Sequence, residues 1–141
     1  MKILVAIDGS KSSLNAAKYA AKLASSLRTK NSITLVSVHD DVALKHAAKY
    51  VGKQQVNDFL REISEKELKT AQKALDKAEV KHDMVISVGH IAEEIIKLGT
   101  SGKFDLIIMG SKGRGGFADL LLGSVAQRVS SHAKQAVLLV K

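Results

Sequence analysis

With no cysteine in the chain, chemistry has to be sought elsewhere, and residues 109–129, MGSKGRGGFADLLLGSVAQRV, are where the main chain is most exposed to it. Gly110, Gly113, Gly115, Gly116 and Gly123 fall in this window, half of the 10 glycines in the sequence. Glycine loses more conformational freedom on folding than any other residue, so a cluster marks backbone that adopts positive φ or that something must approach closely. Without Cβ atoms, N–H groups around Gly110 and Gly113 can converge on one anion as a nest. Ser124 opens the helical stretch SVAQ, whose unpaired N–H groups and dipole favour a phosphate. Ser124 as N-cap with Gln127 reaching back would form a capping box, which competes for the same hydroxyl. Lys112 and Arg114 add positive charge. The plain alternative is that these glycines serve turns and close packing alone.

Other chemistries find less support. His39, His46, His82, His90 and His132 are scattered without the short spacing of metal ligands and read as surface or strand-end histidines, with His39 and His90 at expected strand ends. No serine, histidine and carboxylate constellation is visible, so no catalytic residue is assigned and no metal site is expected. The G-x4-G-K-[S/T] loop is absent, and no second strand-end acid stands ready to share magnesium with Asp8. A phosphorylatable receiver domain would need an acid at the end of its third strand, where this chain reads SVGH.

These loops need elements to position them. Residues 2–8, KILVAID, form a near-continuous apolar run rich in β-branched residues and bounded by Asp8-Gly9-Ser10, which predicts a strand buried on both faces. Leu14, Ala17, Ala21 and Ala24 then repeat at helical spacing, with Ser10 or Ser12 as N-cap. Residues 32–40 read as a second strand. The helical pattern returns over residues 56–78 on Leu60, Ile63, Ala71, Leu75 and Ala78, after an unassigned piece, DVALKHAAKYVGKQQ, that suits a flexible or partly helical excursion. Strands are predicted over residues 82–89, 104–110 and 136–141. Between them lie a helix striped by Ile91, Ile95 and Leu98 with Gly99 as its C-cap, and a short helix marked by Val125 and Val129. Strands alternating with helices require right-handed crossovers and a parallel sheet, hence a three-layer α/β sandwich. With strand order 3-2-1-4-5, the first and fourth strands flank the switch point, where ligands bind beyond the carboxyl ends of strands. Asp8 then faces the glycine cluster.

Composition bounds the rest. The 141 residues suit one domain, residues 1–141, with a single core. Lysine and arginine number 22 against 14 acids, a net +8 that attracts polyanions. The lysines are scattered, however, and aromatics make up 4%, too few for base-stacking platforms, so nucleic acid is not the expected ligand. The opening MKILVAIDGS lacks a cleavage site, and no run approaches the roughly 20 apolar residues of a membrane helix. A cytoplasmic protein without membrane attachment is the expectation.

The segment GSKGRGGFADLLLGS fits G-x2-G-x9-G-[S/T], with Gly110, Gly113, Gly123 and Ser124 on the pattern, and so resembles the ATP-binding branch of the universal stress protein family. The resemblance covers nearly the whole chain: ILVAIDGSKSSLNAAKYAAKLA is similar to the family's opening strand and helix, and GHIAEEIIKLGTSGKFDLIIMGSKG to the segment before its loop. It implies a Rossmann-like domain that binds ATP, with or without magnesium, in a regulatory role in stress response. It also implies a homodimer paired through the last strand. Carried over by position, Ala6, Ile7 and Asp8 border adenine and ribose, and the Val38 backbone meets the adenine edge. Met109 and Gly110 line the nucleoside side, while Lys112, Gly113, Gly123, Ser124 and Val125 approach ribose and phosphates. Slow ATP hydrolysis, or binding of AMP or cyclic AMP, are the alternatives. Where the family often has prolines, this chain has Ile91 and Ala136, which alters loop geometry rather than the binding pattern. The apolar VLLVK at the expected sheet edge is an association hazard that a two-fold partner would cover.

Overall fold

The computed structural model describes residues 1–113 and 122–141. Arg114, Gly115 and Gly116 lie outside the described residues. The elements run β1 (Lys2–Ala6), α1 (Lys11–Ser26), β2 (Ser32–Asp40), α2 (Asp41–Val51), α3 (Lys53–Lys77), β3 (His82–Gly89), α4 (Ile91–Ser101), β4 (Leu106–Gly110), α5 (Ser124–His132) and β5 (Ala136–Val140). The strands form one parallel sheet in the order β3-β2-β1-β4-β5, as expected.

β1 is central, and its Ile3, Leu4 and Val5 are wholly buried because both faces of the sheet are covered. Ile3, Val5, Ile7, Ile33, Leu35 and Ile108 point to the layer of α1 and α3, while Leu4, Val36, Ile107 and Met109 point to that of α4 and α5. α1 lies close on the sheet because its buried face is built from Ala16, Ala17, Ala20, Ala21 and Ala24. Its start is set by Ser10, whose hydroxyl accepts from the Ser13 N–H at 3.1 Å.

Several boundaries differ from the sequence expectation. The unassigned piece after β2 is mostly α2, capped by Asp40 accepting from the Val42 N–H at 2.8 Å and joined to α3 through Gly52 at φ 96°. Gly99 does not close α4. The helix continues to Ser101 with Gly102 as its C-cap, and Gly99 is buried where a Cβ would lie 3.0 Å from Ile107 Cδ1. β4 starts at Leu106 rather than at residue 104, since Phe104 N–H still bonds back to Gly99 O at 3.0 Å.

Candidate functional site

β1 ends at Ala6, but Ile7 N–H still reaches Val36 O at 2.8 Å before the chain turns at Gly9, φ 79°. The turn is held from inside. Asp8 Oδ1 accepts from the Ser10 N–H at 2.9 Å, and the Ser13 hydroxyl donates to Ser10 O at 2.9 Å. This fixes the half-buried Asp8 carboxylate beside the first turn of α1.

The loop after β4 meets this turn directly. A Cβ on Gly110 would lie 2.9 Å from the Ser12 carbonyl carbon and the Ser13 nitrogen, so Gly110 is glycine because α1 packs on its main chain. Ser111, 7% exposed, donates its N–H to Val140 O at 2.7 Å and accepts from the Gly123 N–H at 2.8 Å. The Ser12 hydroxyl donates to Lys112 O, linking the two loops. A Cβ on Gly113 would sit 3.3 Å from Asp8 Oδ2, and one on Gly123 would sit 3.3 Å from Gly113 N and 3.4 Å from Lys112 Cα. Asp8, Lys112, Gly113 and Gly123 are therefore gathered in one place. At all three glycines the requirement is close approach.

α5 begins here. Gly123 is its N-cap and supplies no side-chain bond, so the capping box expected of Ser124 and Gln127 does not form; Ser124 is the first helical residue. The first N–H groups of a helix have no intrahelical acceptors. Among the described residues no side chain caps this start, an arrangement that suits an anion.

Val38 completes the rim. Ile33 N–H bonds to Lys81 O, so alternate residues of β2 direct their main chains to β3, and the intervening Thr34, Val36 and Val38 face β1. Val36 O takes the last β1-side bond, from Ile7, which leaves the Val38 N–H and C=O beyond the end of that strand. The side chains of Ala6, Val38, Met109 and Val125 all belong to the α4/α5 face. The loops after β1 and β4 and the start of α5 thus meet at the carboxyl end of the sheet beside this face, and frame the candidate crevice.

The profile of the universal stress protein family matches residues 1–141. The chain belongs to the universal stress protein family. It is 35% identical over 141 residues to universal stress protein MJ0531 of Methanocaldococcus jannaschii, covering 99% of this chain and 81% of that protein. Among solved structures it resembles M. jannaschii MJ0577, with a TM-score of 0.87 at 28% identity over 99% of this chain and 94% of that one. It also resembles a universal stress protein solved in complex with cAMP, with a TM-score of 0.67 at 25% identity over 100% of this chain and 97% of the other.

Some residues behave differently from their sequence reading, and others emerge only in the structure. His39 turns away from the α4/α5 face: its Nε2 pairs with the buried Ser64 hydroxyl of α3, and Ser37 Oγ lies 3.4 Å from it. His90 is the N-cap residue of α4, with Nδ1 4.0 Å from Glu93, whose carboxylate accepts from Arg128 Nη2 at 3.1 Å. Ser12, which joins the two loops, was legible only as a potential cap. On the α1/α3 side a cavity of about 550 Å³ opens beside the β1 turn, lined by Ile7, Gly9, Ser13, Ile63, Glu67 and Thr70. Its α3 residues had no signal beyond helical spacing. Among the described residues no group of three or more histidines or acids is placed to hold a metal.

Proposed function

We propose that the crevice binds an adenine nucleotide, with ATP as the ligand, and that occupancy regulates the protein. The observation that carries this reading is the juxtaposition of Gly113, Gly123 and Asp8 at the start of α5. In this arrangement main-chain N–H groups receive phosphates, and the Lys112 side chain adds charge at the rim. Ala6, Ile7, Asp8 and the Val38 backbone border adenine and ribose; Met109 and Gly110 line the nucleoside, and Gly113, Gly123, Ser124 and Val125 approach the phosphates. Asp8 is repelled by phosphate, so it faces ribose or base, or a magnesium ion carried on the nucleotide. Among the described residues no acidic cluster is preformed, so that ion would depend on the phosphates for most of its ligands.

The cAMP complex of a similar protein supports the adenine class and favours a second reading, in which a monophosphate occupies the same site. Slow hydrolysis of ATP is the weaker alternative activity. Pairing of two copies through β5, the outer strand beside β4, belongs to the same proposal. The test is to denature freshly purified protein and identify released nucleotide by mass spectrometry, then titrate the emptied, refolded protein with ATP, AMP and cAMP by calorimetry. An adenine nucleotide recovered or bound supports the reading. A bound flavin or nicotinamide, or no heat with any adenine nucleotide in folded protein, overturns it.

A further inference from the structure

The opposite edge of the sheet carries a feature that nucleotide binding leaves unused. β3 is the outer strand, and its Met84, Ile86 and Val88 are 45%, 40% and 53% exposed. By register they share a face with Leu35, Ser37 and His39 of β2. α3 covers that inner row, with Leu68 in the same core as Leu35 and Ser64 bonded to His39 and Ser37. It does not reach far enough to bury β3. An apolar ridge is left along a strand edge, the combination that edge strands ordinarily avoid.

The main chain points the same way. Because Lys81 O accepts from Ile33 N–H, residues 81, 83, 85, 87 and 89 direct their peptide groups to β2. His82, Met84, Ile86 and Val88 direct theirs outward. The exposed side chains and the outward N–H and C=O groups thus belong to the same residues, and they are spaced symmetrically about Ile86.

We propose that β3 pairs with β3 of a second copy of this chain, antiparallel and centred on Ile86. Ile86 then opposes Ile86, and Met84 of each copy opposes Val88 of the other. Each of these three positions forms a hydrogen-bonded pair, giving about six inter-strand bonds. The charges agree with this register: Asp83 faces Gly89, so no acid meets an acid. Centring on Val85 instead would set Val88 against His82, which is already engaged with Val80 O at 2.9 Å. One strand edge and three side chains fall short of the roughly 800 Å² that each partner in a stable pair buries, so the association is weak and shows at high protein concentration. It uses the edge opposite β5, so it is separable from the β5 pairing and from nucleotide binding.

The cysteine-free sequence allows a direct test. Ile86→Cys and Met84→Cys are made singly, and disulfide-linked dimer is followed under mild oxidation. Only residue 86 faces itself across the two-fold axis, at about 5.5 Å between Cα atoms and within disulfide reach, so Ile86→Cys is expected to cross-link about tenfold faster. In parallel, Ile86→Lys is compared with the unaltered chain by sedimentation velocity at matched high concentration, with circular dichroism to verify the fold. A lower average mass for Ile86→Lys supports the proposal. Equal cross-linking of the two cysteine variants, or identical mass distributions for the folded Ile86→Lys and unaltered proteins, overturns it. An unaltered chain that stays monomeric at every concentration but adds a foreign extended peptide along β3 likewise overturns self-pairing.

Discussion

Gly110 and Gly113 stand three residues apart and answer to different neighbours. Gly110 abuts the main chain of Ser12 and Ser13, which cannot step aside, whereas the neighbour of Gly113 among the described residues is a carboxylate oxygen of Asp8. Gly110→Ala is therefore overpacking at a rigid contact, and is expected to lower stability by about 1–3 kcal/mol, read as a shifted denaturant midpoint. Gly113→Val should leave that midpoint nearly unchanged while weakening ATP at least about tenfold in calorimetry, a loss of about 1.4 kcal/mol in binding. Equal affinity in the two proteins would remove Gly113 from the site. The sequence pattern singled out both residues without separating these roles, because glycine spacing records where a Cβ is missing and not what stands in its place. For the same reason Gly99 read as a helix end, when it is a buried contact with Ile107.

At the level of elements, legibility followed burial. β1, β2 and β4 combine apolar runs with flanking turns, and their order came out as expected because crossover handedness leaves few arrangements. α2 resisted because none of its residues is buried, although Leu44, Ala47, Ala48 and Val51 recur at helical spacing. α3 was visible from Leu60, Ile63, Ala71, Leu75 and Ala78, of which Ala71 and Leu75 are buried beside Leu68, a core residue that reading missed. Leu75 is wholly buried between α3 and the sheet, and Leu75→Ala should destabilise the protein by about 2–5 kcal/mol, checked by urea unfolding. Ser12→Ala, by contrast, removes one bond between two loops and should cost stability only about 1 kcal/mol. Its larger effect is expected on nucleotide affinity, since it frees Lys112 O from α1. A calorimetric affinity unaltered by Ser12→Ala would show that this tie does not shape the site.

Taken as a whole, the molecule is a parallel sheet whose carboxyl end gathers two loops and whose outer strands are β3 and β5. Among the described residues no helix is long and apolar enough to cross a membrane. A ligand that binds only the folded chain at one site should raise its stability by about 2.7 kcal/mol at a concentration of 100 times Kd. Thermal unfolding with ATP, AMP and cAMP, each with and without magnesium, should therefore rank the nucleotides, and a midpoint indifferent to all of them would argue against occupancy of the crevice. The fold places β5 in direct touch with this region: Val140 O holds the Ser111 N–H, and Lys141 O receives the Asn15 amide at 2.9 Å. Trimming Val140 and Lys141 would thus unhook the glycine window from its anchor, so a tail truncation here amounts to a lesion of the binding loop.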